Sequence, residues 1–371
     1  MKTVTAILMA WAMVWLPCAS AAEEQPVDLV ICLDTSNSMD GLIDAAKQKL
    51  WDIVNELGRA KPKPLLRVGL YAYGTPGYGA DNGYVKKLTD LTDDLDSVYG
   101  FLTALRTNGG DEFVARVTRA ATLEQAWSKD KGALKIIVVA GNEGAGQDRQ
   151  FDSLAMAKQA ITAGIVVNTI YCGSPADNIA PGWRAVAQAA DGQFASIDQN
   201  QGIVVVSTPH DQKLAELSGT LNKTYVGYGR GAAAGYARQE AADKASFSAS
   251  PAAAAGRAMA KVGGQYRNAA WDLVDARDQK DFDLAKVKEE DLPDEMKKMT
   301  LDERKAYLEA KAKERAALQQ QINELSKQRA DYISAEMKKS GKTTDQAFDA
   351  AMLKAIRAQA ERKGMKFEKA P

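Results

Sequence analysis

"LVICLDTSNSMDG", residues 29 to 41, opens as an apolar run and turns, within one residue, into an aspartate, a threonine and two serines. Val27, Leu29, Val30, Ile31, Cys32 and Leu33 form the short, nearly continuous hydrophobic stretch expected of a strand covered on both faces. The polar half is then the loop leaving its C-terminal end. Beyond it, Leu42, Ile43, Ala46, Leu50, Ile53, Val54 and Leu57 recur at helical spacing, and Gly58 supplies a stop. Small oxygen-bearing side chains are thus gathered at a strand-to-helix turn, where open α/β sheets bind ligands.

Asp34, Ser36 and Ser38 stand in the spacing D-x-S-x-S, so a loop curling over the strand end can point all three oxygens at one centre. Hard oxygen donors without histidine or thiolate suit Mg²⁺, with Mn²⁺ or Ca²⁺ as alternatives, rather than zinc. The same residue types are preferred helix caps, so a purely structural role stays open at this point.

The chain begins with Lys2, an apolar stretch from Val4 to Leu16 and Ala19-Ser20-Ala21, the pattern of a secretory signal peptide over residues 1–22. The expectation is an exported protein, periplasmic or secreted after cleavage, with no stable membrane anchor. Pro17 before Cys18 is a poor fit to a lipoprotein signal, and no later segment is long and apolar enough for a transmembrane helix. Past the signal only Cys32 and Cys172 remain, both inside apolar strand-like runs, which reads as two buried free thiols.

Lysine plus arginine and aspartate plus glutamate balance at 48 each. The balance hides an asymmetry, with acids in excess through residue 207 and bases in excess after it. That basic excess is interleaved with acids and reads as a solvated helical surface, not a nucleic-acid footprint.

"LLRVGLYAYG" (65–74), "LKIIVVAG" (134–141) and "GIVVNTIYCG" (164–173) read as strands, separated by amphipathic helices at 95–105, 113–127 and 152–163. The succession implies an α/β fold: a doubly wound, mostly parallel, Rossmann-like sheet flanked by helices.

With the D-x-S-x-S turn and the loops "TNGGDE" and "VVAGNE" at their intervals, residues 27–206 resemble a von Willebrand factor type A (VWA) domain of exported bacterial type. The turn resembles the metal-ion-dependent adhesion site of that family. The resemblance implies a divalent cation and a non-enzymatic role in adhesion or scaffolding, with a protein partner completing the coordination through an acidic side chain. It also implies a threonine after the Gly-Gly pair and an aspartate at the end of the fourth strand. Here Asp111 falls in the first place and Gly141 in the second. Asp111 is therefore the expected second carboxylate, giving a metal set of Asp34, Ser36, Ser38 and Asp111, with Asn142 or Glu143 holding a coordinated water. Asp111 and Glu112 could instead cap the helix that starts near Phe113.

Other chemistries fare poorly. "GNEGAG" (141–146) has the wrong glycine spacing for a dinucleotide fingerprint, and His210, the one histidine, has no catalytic companion in sequence.

The second half is expected to be mainly α-helical. Residues 207–250 read as a closing helix and a Gly/Ala-rich connector, and residues 251–371 as helices. A long helix spans 300–340, opened by a Thr300–Glu303 capping box, and forms an antiparallel hairpin with the helix in 343–364. Arginines and a lysine interrupt its heptads, against a sustained coiled coil. A second function class stays open: a metal-free structural or scaffolding protein acting through this helical region.

Overall fold

The structure is a computed structural model that describes residues 24–197, 206–340 and 348–367. The signal-peptide expectation lies outside the described residues. In chain order the α/β part runs β1 (Gln25–Asp34), α1 (Asp40–Leu57), β2 (Ala60–Lys61), β3 (Pro64–Tyr73), β4 (Val85–Thr92), α2 (Leu95–Ala104), α3 (Val114–Glu124), β5 (Leu134–Gly141), α4 (Ser153–Thr162), β6 (Val166–Tyr171), α5 (Ala180–Ala189) and β7 (Phe194–Ser196). The remainder is α6 (Asp211–Asn222), α7 (Ala232–Ala249), α8 (Pro251–Val262), α9 (Leu273–Ala276), α10 (Asp294–Lys297), α11 (Leu301–Ser340), α12 (Phe348–Arg362) and β8 (Lys366–Phe367).

Six strands form one sheet in the order β4-β3-β1-β5-β6-β7, parallel except for β4 against β3. This is the doubly wound architecture expected from the strand and helix periods, followed by the expected helical region. The order reverses between β1 and β5, so the C-terminal ends of β1, β3 and β5 open on a common crevice. Asp34 pairs in register with Tyr73, and Leu33 with Ala140.

Alternation in the central strands explains their unbroken hydrophobicity. Leu29, Ile31 and Leu33 of β1 join Ile136, Val138 and Ala140 of β5 under α1 and α2. Val30, Cys32, Ile137 and Val139 point the other way, into a second apolar layer with α3, α4 and α5. Each fully buried large aliphatic side chain contributes roughly 1.5–3 kcal/mol through removal from water. Cys32 and Cys172 are buried free thiols, as read from sequence.

The helical region differs from expectation in two places. The supposed connector is largely the helix α7, packed on α2 and α8. Its small residues permit close approach: a Cβ on Gly235 would sit 2.4 Å from the Trp271 indole. The long helix is present, and Thr300 and Glu303 exchange the reciprocal capping bonds predicted for it. Among the described residues α11 and α12 do not pack as a hairpin, however. Instead α11 packs on α6, α8 and α9, whereas α12 lies against α1 and the sheet, and β8 pairs with β2. The physical reason is the apolar face of α12: Ile356, Ala360 and the following Met365 enter the core under β1 and β5.

A buried ionic cluster joins the two parts. Arg257, 1% exposed, lies 2.6 Å from Asp96 of α2 and 2.9 Å from Asp243 of α7, with its guanidinium over the Trp51 ring of α1. Tyr266 donates its hydroxyl proton to Asp96 at 2.6 Å, and Lys261 donates to Asp243 at 2.9 Å. Charges withdrawn from water to this degree need such partners on every side.

Candidate functional site

The three loops at the sheet switch point are tied together before any functional side chain is considered. Thr35 donates its hydroxyl proton to the Tyr73 carbonyl at 2.9 Å, and the Asn108 N–H donates to the Thr35 carbonyl at 2.8 Å. The Thr75 hydroxyl stands 2.9 Å from that of Thr35. The ends of β1 and β3 and the loop before α3 are thereby fixed to one another, and Asp34 is held among them with no exposed surface.

Asp34 is oriented by its own loop: the Ser36 N–H donates to Asp34 Oδ1 at 2.8 Å. Its other oxygen, Oδ2, is buried and has no hydrogen-bond partner. Three further buried oxygens are unpartnered in the same way: Ser36 Oγ, Glu112 Oε2 and Asn142 Oδ1. Their owners are neighbours. A Cβ on Gly74 would lie 2.7 Å from Asp34 Oδ1 and 2.9 Å from Glu112 Cγ, and the Asn142 amide donates to Ser38 Oγ at 2.8 Å. Gly74, at φ +85°, is the residue that lets the β3 turn pass this close.

Capping does not account for Ser36: it stands at the N-terminus of the short 3₁₀ turn Asn37–Met39 and makes no side-chain cap hydrogen bond. Buried polar atoms in native proteins nearly always find partners, so four orphans on residues of these adjoining loops need an explanation.

Both carboxyls titrate abnormally. Burial raises the Asp34 carboxyl to about 6, with the Glu143 charge adding to the rise, while the N–H groups of Ser36 and Asn142 and the Ser36 hydroxyl oppose it. Burial raises Glu112 to about 8, with the Asp34 charge as the next cause and the Ser36 hydroxyl in opposition. The Ser36 hydroxyl is thus close enough to temper both carboxyls, yet is in hydrogen-bonding geometry with neither.

Of the four residues singled out from sequence, Asp34 and Ser36 lie in the buried cluster, and Ser38, exposed at its rim, is reached through Asn142. Asp111 is exposed. Its neighbour Glu112, only 8% exposed, turns inward and brings the second carboxyl. Gly141 leaves no room for a third: a Cβ there would meet the Tyr73 hydroxyl at 2.5 Å and Asp34 Oδ2 at 3.0 Å.

Two carboxylates, a hydroxyl and an amide oxygen make an all-oxygen donor set. That suits a hard divalent cation, and Mg²⁺ in particular, which binds through one or two carboxylates and keeps several waters. No group of three or more histidines, cysteines, aspartates or glutamates placed to hold a metal occurs among the described residues, so hydroxyl and amide oxygens would have to supply part of any coordination.

No protein-family model and no curated protein matches the chain. Solved structures do. BatB from Bacteroides thetaiotaomicron, described as a conserved hypothetical protein, aligns at 19% identity over 47% of this chain and 94% of its own, with a TM-score of 0.37. The SpRpn10 VWA domain aligns at 18% identity over 48% and 98%, with a TM-score of 0.36. Proximal thread matrix protein 1 from the mussel byssus, solved with a zinc-occupied MIDAS motif, aligns at 13% identity over 48% and 43%, with a TM-score of 0.39. No described helix is long and apolar enough to cross a membrane.

Proposed function

We propose that this protein is an exported, non-enzymatic interaction protein, periplasmic or secreted, whose VWA-like α/β part holds a divalent cation and presents it to an acidic side chain of a protein partner. The supporting observation is the set of four buried, unpartnered oxygens on Asp34, Ser36, Glu112 and Asn142. In this reading Asp34 and Glu112 neutralise the ion, Ser36 and Asn142 complete the inner donors, and Ser38 orients Asn142. Asp111, the second carboxylate expected from sequence, then adds only its charge at the rim. A coordination position facing solvent is left for a carboxylate, the hard anionic donor such an ion prefers.

The test is thermal unfolding of the protein in chelator and in millimolar Mg²⁺, Mn²⁺ or Ca²⁺. A ligand that binds only the native state raises its melting temperature. A rise of several degrees with one of these ions supports the reading, and none with any of them removes it.

A second reading keeps the protein metal-free and places its interactions on the helical region. It is favoured by the small number of carboxylates at the site and by the raised Glu112 carboxyl, which can remain protonated beside Asp34 near neutral pH. The same melting experiment separates the two.

A further inference from the structure

A cleft of about 670 Å³ lies beside the candidate site, between the turn after β3, the edge strand β4, helix α3 and the loop before α4. Four cations, Lys86, Lys87, Arg116 and Arg119, line it against two carboxylates, Asp81 and Glu124. Their partners divide them into two kinds. Arg116 is paired with Asp148 at 2.8 Å, and Lys87 with Asp90 at 2.7 Å. Lys86 and Arg119 have no carboxylate partner among the described residues. Each instead sits by an aromatic wall of the cleft: Lys86 at 5.6 Å from the centre of the Tyr78 ring, and Arg119 at 5.1 Å from that of Phe151. An aromatic face holds a cation in place without neutralising it.

The cleft shares structural elements with the site. Tyr78, which lines it, reaches the Thr35 hydroxyl at 3.5 Å, and α3 carries Arg116 and Arg119 one and two turns beyond Glu112. We propose that this cleft binds an acidic peptide segment of the partner, with carboxylates at Lys86 and Arg119. The proposal rests on the reading above that the partner brings a carboxylate to the cation, and it names what flanks that carboxylate in the partner's chain. Adjacent lysines on an edge strand also discourage pairing with another copy of the same chain. That role leaves the unpaired Arg119 on α3 unexplained, whereas an acidic segment engages both cations.

The experiment uses the full chain and a fluorescent hexaglutamate peptide, followed by anisotropy in Mg²⁺ and in chelator, with hexaglutamine as the neutral probe. Hexaglutamate should bind in both conditions and hexaglutamine in neither. Lys86→Ala with Arg119→Ala should weaken hexaglutamate roughly five- to tenfold in both conditions, as loss of two interfacial charges does. Lys288→Ala with Lys313→Ala, the same charge change far along the chain, should leave binding unaltered. No hexaglutamate binding, or equal loss in the two double variants, overturns the cleft. Loss in the cleft variant with no effect of Mg²⁺ or of Asp34→Asn upholds the cleft and counts against the cation reading instead.

Discussion

The hydroxyl of Tyr73 occupies the space that a side chain on Gly141 would need, 2.5 Å from where its Cβ would stand, and donates to the Ala140 carbonyl at 2.9 Å. A carboxylate therefore cannot enter from β5, and the glycine there is a packing requirement. Gly141→Asp should destabilise the protein by about 1–3 kcal/mol through overpacking and should not strengthen ion binding. Tyr73→Phe removes the obstructing oxygen, at a cost of about 1 kcal/mol for its hydrogen bond. The double variant should then lose less stability than the sum of the two, as read from a denaturant double-mutant cycle. Additive losses would mean that the tyrosine is not the obstacle.

Glu112 is buried in the cluster and Asp111 is exposed beside it, and chemical unfolding distinguishes which of the two carboxylates would serve an ion. With Mg²⁺ present, Asp34→Asn and Glu112→Gln should each abolish the ion-induced gain in stability. Asp111→Ala, which alters an exposed side chain, should keep that gain to within about 0.5 kcal/mol. In chelator at pH 8 the order changes. Glu112→Gln removes a carboxyl that is costly to ionise beside Asp34, so it should match or exceed the parent protein. Equal loss for Glu112→Gln with and without the ion would return the site to a structural role.

The raised carboxyls also fix the sign of the pH dependence. Asp34 is raised from 3.8 to about 6 and Glu112 from 4.5 to about 8 by burial in the folded state. Across that window the folded, ion-free protein binds more protons than the unfolded chain, so its stability is greatest below the unfolded values and falls as pH rises through the folded ones. In the proposed reading a divalent cation would take the place of those protons. The melting-temperature difference between Mg²⁺ and chelator should thus be small near pH 5 and largest near pH 8. A difference constant over that range would place the ion elsewhere.

Much of this was legible in the sequence, and what was not has a physical reason. The β-branched runs at 29–33 and 134–141 marked two central strands because both faces of each are covered, and D-x-S-x-S marked the crevice because it stands at the strand-to-helix turn where open α/β sheets bind ligands. Which of two adjacent acids turns inward was not legible. Asp111 and Glu112 have similar local preferences, and the choice depends on Gly74 leaving space from another strand. Helix α7 was hidden because a run of alanine, glycine and serine shows little hydrophobic periodicity, and only the Trp271 ring against Gly235 shows why small residues are wanted there. The docking of α12 leaves no local trace, since its partners lie in α1 and the sheet, far earlier in the chain.

That docking makes the C-terminal helix part of the α/β core. Ile356, Ala360 and Met365, each no more than 1% exposed, fill the layer beneath β1 and β5. Beside them the amides of Gln359 and Asn168 bond reciprocally, at 2.6 and 3.1 Å, and Arg357 pairs with Glu56 of α1. Gln359→Ala strands a buried amide on β6 and should cost about 1–3 kcal/mol. Ending the chain after Ser340 removes the apolar contacts as well, and each large aliphatic side chain withdrawn from a core costs about 2–5 kcal/mol. The truncated protein should therefore unfold at markedly lower denaturant concentration and expose the sheet face to a hydrophobic dye, while Glu336→Ala on the exposed part of α11 should change stability by less than about 0.5 kcal/mol. If the truncated chain unfolds at the same midpoint as the full one, α12 does not complete the core. If instead it melts early but still gains stability from Mg²⁺, the proposed ion site forms without the support of α12.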